Sequence, residues 1–137
     1  MKVMFDTNIY VSWIREQKHE DLMLKYGTVK YLSAVVLMEL WAGARTKQAS
    51  RIVETLQKLY LKAGRVIPVT LKNYIAAGQT MSDLPVSYKN MLKSSDFIND
   101  IQIALTALSV GATLYTNNKT HFKIIKSLLK TLNVVYV

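Results

Sequence analysis

The chain has 137 residues, half of them hydrophobic, and eighteen Lys and Arg against nine Asp and Glu give a net charge of +9. That size suits one unit over residues 1–137 with a real core, the hydrophobic share excludes disorder, and the absence of cysteine excludes disulfides, thiol nucleophiles and cysteine-ligated metals. No apolar run approaches the ~20 residues of a membrane span and the N-terminus lacks a signal-peptide pattern, so a cytoplasmic protein with no membrane partner is expected, its charge favouring a polyanion, nucleic acid first.

In chain order, Val3-Met4-Phe5 is a short apolar run without helical period and is predicted to be a buried strand. Thr7 or Asn8 is placed to cap a helix through Ile9, Val11, Trp13 and Ile14. The charged stretch from His19 to Lys25 continues as helix or loop. Tyr31-Leu32 is a second strand, and Ser33 caps a helical run from Ala34 to Ala44. Residues 48–62 carry helical spacing through Ile52, Leu56, Leu59 and Tyr60. Val66-Ile67 is a third strand, stopped by Pro68. One or two helices fill residues 70–92. Another starts at Ser95 or Asp96 and ends at Gly111. Ala112 to Tyr115 form a fourth strand, residues 119–131 a last helix, and Val134 to Val137 a final strand. Alternating short strands and helices predict an α/β fold, a mostly parallel sheet covered on both faces. Sites in such sheets lie beyond the carboxyl ends of the strands.

Three acids stand in apolar company. Asp6 directly follows the first strand. Glu39 is the only polar residue between Ala34 and Ala44, and its helical neighbours are Val35, Val36, Ala42 and Gly43. Asp100 has Phe97, Ile103, Ala104 and Ala107 around it on its helix. A buried carboxylate must be paired, neutralised or bound to a metal, and no Lys or Arg lies within a helical turn of Glu39 or Asp100. Three acids from three elements meeting at one end of a sheet would make the hard oxygen cage that magnesium or manganese prefers. Each acid also has an ordinary reading: Asp6 as a helix cap, Glu39 reaching solvent, Asp100 favoured by the helix dipole.

The residues resemble the PIN-domain family in four blocks, in that family's order and over nearly the whole chain. They are Phe5-Asp6-Thr7-Asn8, the segment from Leu32 to Ala44 with Ser33 and Glu39, the segment from Asn99 to Ala107 with Asp100, and the segment from Thr116 to Phe122. Within the family the resemblance is to VapC toxins of toxin–antitoxin pairs. It implies a single PIN domain over residues 1–137 with a five-stranded parallel sheet. It also implies Mg2+- or Mn2+-dependent cleavage of RNA, a homodimer and a cognate antitoxin. Asp6, Glu39 and Asp100 match the acidic metal ligands, and Asn118 falls at a fourth position where the family often has Asp. An amide oxygen binds metal more weakly and brings no charge, which puts a second tightly held ion in doubt. Asp96, one turn before Asp100, is a candidate to compensate, or else an ordinary first-turn acid.

Thr7, Asn8, Ser33 and Thr116 are candidates to orient those ligands, or simple caps and strand ends. Lys119, Lys123, Lys126 and Lys130 share one stripe of the last helix and could grip phosphates, with Arg45, Lys47 and Arg51 as a second basic cluster. The same stripe is equally a solvated face. Tyr10, Trp13 and Ile14 are read as core, with a dimer or antitoxin groove as the other option. His121 at a helix start is left outside the catalytic set, and His19 is placed on the surface. The rival readings are an inactive RNA-binding module of the same fold and a phosphatase with Asp6 as nucleophile. The second is weakened by Asn8, where haloacid-dehalogenase-like enzymes carry Asp. No Gly-x-Gly-x-x-Gly run or P-loop is present.

Overall fold

A computed structural model describes all residues from Met1 to Val137. Five parallel strands form one sheet in the order β3-β2-β1-β4-β5: β1 (Lys2–Phe5), β2 (Val29–Ser33), β3 (Val66–Ile67), β4 (Thr113–Thr116) and β5 (Val134–Tyr136). Between them run α1 (Thr7–Glu16), α2 (Glu20–Met23), α3 (Ala34–Gly43), α4 (Lys47–Lys62), α5 (Leu71–Asp83), a 3-10 segment (Val86–Lys93), α6 (Ser95–Val110) and α7 (Lys119–Leu128).

Right-handed crossovers put the helices that lead outward from β1 to β3 on one face and those that return through β4 to β5 on the other. α1 and α4 each lie on α3, while α6 lies across β1, β2 and β4, packs on α5 and α7, and also touches α3. The strand order reverses at β1, where β2 and β4 flank it on either side. This switch point is where a parallel sheet opens a crevice at its carboxyl edge.

Val3, Met4 and Phe5 are buried, as their apolar run predicts, and meet Ile9, Tyr10, Phe97, Ile101 and Leu114 in the core. Phe97 and every residue from Asp100 to Ala107 are buried, so α6 is the central helix, with no solvent face along that stretch. The hydroxyls of Tyr10 and Tyr60 pair at 2.8 Å, satisfying the one polar atom of a fully buried ring.

The structure resolves four local points. The cap of α1 is Asp6, not Thr7 or Asn8, which frees those two side chains for the site. Residues 70–92 resolve into α5 and the 3-10 segment, with Pro85 between them. The last helix stops at Leu128, so Lys130 lies beyond it. The apolar run of α3 is not all core: Met38 and Trp41 are exposed, and the Trp41 Nε1–H donates to Gln57.

Ser33 illustrates a polar residue held inside the fold. Its hydroxyl accepts from the Val35 N–H at 3.2 Å, capping α3, and from Thr106 Oγ1 at 2.9 Å, tying β2 to α6. Ser33→Ala removes the cap of α3 and the tie from β2 to α6, while Thr106 Oγ1 keeps the Ile103 carbonyl at 2.8 Å. We expect a loss of about 1 kcal/mol, chiefly the cap, read as a lower urea midpoint at constant m-value. An unchanged midpoint would show that the Val35 N–H finds another acceptor.

Candidate active site

Asp6 sits just past β1 at the switch point and is buried. Its backbone N–H continues the ladder to Tyr115 O at 2.9 Å, so the sheet itself fixes the start of this side chain. Oδ1 accepts from the Thr7 N–H at 2.7 Å. Oδ2 accepts from Thr116 Oγ1 at 2.7 Å and from Asn8 Nδ2 at 2.9 Å. Thr116, at the end of β4, also accepts from the Asn118 N–H at 3.0 Å, and Asn8 Oδ1 accepts from the Asn117 N–H at 3.3 Å. These bonds stitch the loop after β4 to the loop after β1.

Glu39 is half-buried on α3, and Thr7 Oγ1 donates to its Oε1 at 2.7 Å. Thr7 thus connects Asp6 and Glu39 through its backbone and its side chain. Asp100 is buried on α6. Its Oδ2 receives Asn118 Nδ2 at 3.3 Å and contacts His121 Nδ1 at 2.7 Å.

The electrostatics follow from burial without a counter-charge. The acids make no ion pair with Lys or Arg; the one pair among them is Asp100 with His121. Burial raises the Asp6 pKa, the Glu39 charge adds to the rise, and the bonds from Thr116, Thr7 and Asn8 oppose it. Asp100 is pushed up to about 9, first by burial and then by the charges of Asp6, Glu39 and Asp96. Burial lowers His121 while Asp96 pulls it up. An ion pair would shift Asp100 and His121 the opposite way. The 2.7 Å contact is a hydrogen bond whose donor is set by the histidine tautomer.

No three of the acidic and histidine side chains close into one ready ligand cage. The donor set still fits a hard divalent cation. It is all oxygen from carboxylates, it contains no thiolate, and its charges repel one another with no lysine or arginine between them.

The other predicted positions separate. Asp96 is an exposed first-turn acid of α6 that reaches Asp100 by its field and makes no hydrogen bond to it. Ser33 bonds none of the acids. Asn118 caps α7, its Oδ1 accepting from the His121 N–H at 3.2 Å, so that oxygen faces its own helix and the amide serves Asp100 as a donor. Lys119 and Lys123 are exposed at the start of α7. Lys126 leaves the basic stripe, because its Nζ turns back onto the carbonyls of Lys130 and Leu132 at the end of its helix. Arg45 is exposed and, with Arg15, borders a cleft of about 480 Å³ whose wall includes Glu39. Sequence reasoning set His121 aside. The signal available was its place one turn into the helix that follows Asn118, but its partner lies 21 residues away.

The fold is that of an α/β protein with three acids near the switch point beside β1. The chain belongs to the PIN domain family, whose profile matches residues 3–127. It is 30% identical over 136 residues to ribonuclease VapC2 of Rickettsia felis, an alignment covering 94% of this chain and 96% of that protein. Its structure resembles VapBC2 from Rickettsia felis bound to a DNA fragment from their promoter, with a TM-score of 0.69, 26% identity, and coverage of 100% of this chain and 99% of that one. DNA-bound VapBC from Salmonella typhimurium shares the fold, with a TM-score of 0.69, 24% identity, and coverage of 99% and 98%.

The raised Asp100 pKa predicts a pH-dependent stability. A carboxyl raised in the folded state binds its proton more tightly there, so folding gains below the unfolded pKa of about 4 and loses that gain as pH rises through the folded value. Asp100→Asn abolishes the titration. In EDTA, its advantage over the wild type should grow from pH 4 to pH 9 and reach about 1–3 kcal/mol at pH 7. A pH-independent difference in urea midpoints would refute the assignment.

Proposed function

We propose that residues 1–137 act as one Mg2+- or Mn2+-dependent endoribonuclease, the cytoplasmic toxin of a toxin–antitoxin pair. The observation that carries this reading is the set of mutually repelling acids, Asp6, Glu39 and Asp100, at the switch point with no lysine or arginine among them. Kinship with ribonuclease VapC2 and likeness to a VapBC2 assembly support the same reading.

Asp6, Glu39 and Asp100 would hold the cation. When bound, it supplies Lewis-acid polarisation of the phosphate and lowers the pKa of its water. The rest of the work belongs to the chain. Thr116, Asn8 and Thr7 fix the carboxylates with hydrogen bonds, so little reorganisation is needed when charge develops. Lys119 and Lys123 beside the Asn118 turn, and Arg45 on the cleft rim, offer cations for RNA phosphates.

We also propose a homodimer and a cognate antitoxin as partners. The exposed, uncharged Met38 and Trp41 on α3 and Leu71, Tyr74 and Ile75 on α5 give apolar surface for protein contacts. No helix is long and apolar enough to cross a membrane. An RNA-binding module that does not cleave is the second reading. It is favoured by Asn118, which brings no charge and turns its oxygen toward its own helix.

The test is cleavage of transfer, ribosomal and messenger RNA with Mg2+ or Mn2+. Asp6→Asn, Glu39→Gln and Asp100→Asn should each cut at least ~100-fold more slowly, and EDTA should stop the wild type. Cleavage unchanged in the variants sinks the nuclease assignment, while RNA binding without any cleavage favours the second reading. The double variant Lys119→Ala/Lys123→Ala should bind RNA more weakly, with a salt slope shallower by about one for each of the two lysines that meets a phosphate. An unchanged slope would place RNA elsewhere.

A further inference from the structure

We infer that His121 is a positioning residue for Asp100, its Nδ1 holding carboxylate oxygen Oδ2 so that Oδ1 remains for a divalent cation; this rests on the metal-dependent reading above. The contact at Oδ2 is 2.7 Å, and Asn118 Nδ2 adds a second hold at 3.3 Å. Oδ1 of Asp100 has no hydrogen-bond partner in the protein.

His121 is itself held in place. Its ring stands edge-on to Phe97, with centroids 5.2 Å apart and planes at 89°. Phe97 is buried and lies three residues before Asp100 on α6, so one face of that helix presents both the ring and the carboxylate. The His121 N–H donates to Asn118 Oδ1, which fixes the start of α7 and settles the orientation of the Asn118 amide. With the oxygen facing the backbone N–H, the nitrogen must face Asp100. The first turn of α7 therefore gives Asp100 two hydrogen-bonding groups, His121 Nδ1 and the Asn118 amide, rather than giving the cation a fourth oxygen. Groups that orient a ligand in this way usually change metal affinity 10–100-fold when removed.

The experiment measures Mn2+ affinity by calorimetry at one fixed pH, with Asp100→Asn as the reference for losing a ligand. His121→Phe keeps the ring against Phe97 and removes both nitrogens. His121→Asn can place an amide N–H where Nδ1 stands. His121→Gln carries its amide one bond further out. We expect His121→Phe and His121→Gln to weaken Mn2+ binding ~10–100-fold and His121→Asn to remain within about 3-fold of the wild type. The Mn2+ concentration for half-maximal cleavage should rise in step, while KM for RNA at saturating Mn2+ stays unchanged. Wild-type affinity in His121→Phe overturns the inference, as does equal weakening in His121→Asn and His121→Gln. Absence of Mn2+ binding by the wild type overturns the metal-dependent reading and this inference together.

Discussion

Burial of Asp6 and Asp100 beside Glu39, without a lysine or arginine among them, is the constraint around which the rest of this structure is arranged. A charged carboxylate in a low-dielectric interior costs several kcal/mol unless partners replace water. The fold supplies hydrogen-bonding groups instead of lysine or arginine: a threonine hydroxyl, an asparagine amide and a backbone N–H for Asp6, an amide and an imidazole for Asp100. These lower the cost without cancelling the negative field. The repulsion that remains would favour uptake of a cation under the proposed function.

Topology decides where this happens. Because β2 and β4 flank β1, the loops after β1 and β4 leave the sheet side by side and can exchange hydrogen bonds. Thr116 and Asp6 are 110 residues apart in sequence and 2.7 Å apart in space for that reason. α6 crosses behind both loops and delivers Asp100, while α3 delivers Glu39 within reach of Thr7. The acids come from three crossovers, so no single segment of the chain can assemble the site alone.

Much of this was readable in the sequence. The short apolar runs marked the strands because parallel strands are covered on both faces and need no alternation. Asp6 and Asp100 stood out since their neighbours left them no solvent. Glu39 was a weaker case: the run from Ala34 to Ala44 looked uniformly internal, yet Met38 and Trp41 are exposed, because hydrophobicity alone does not place a residue in the core. What stayed hidden depends on partners distant in sequence. Periodicity cannot reveal that His121 meets Asp100, that the Asn118 oxygen closes its own helix, or that Lys126 folds back onto carbonyls. Asp6, readable either as a helix cap or as a site acid, caps α1 and stands in the site at once.

The two outermost strands are unusually short, two residues for β3 before Pro68 and three for β5. A sheet rim of that length exposes very few unpaired amides and carbonyls, so another extended chain finds almost nothing to zip onto. Association through an added strand is closed off at both margins. Docking is left to the helices and loops, and the short margins discourage edge-to-edge self-association.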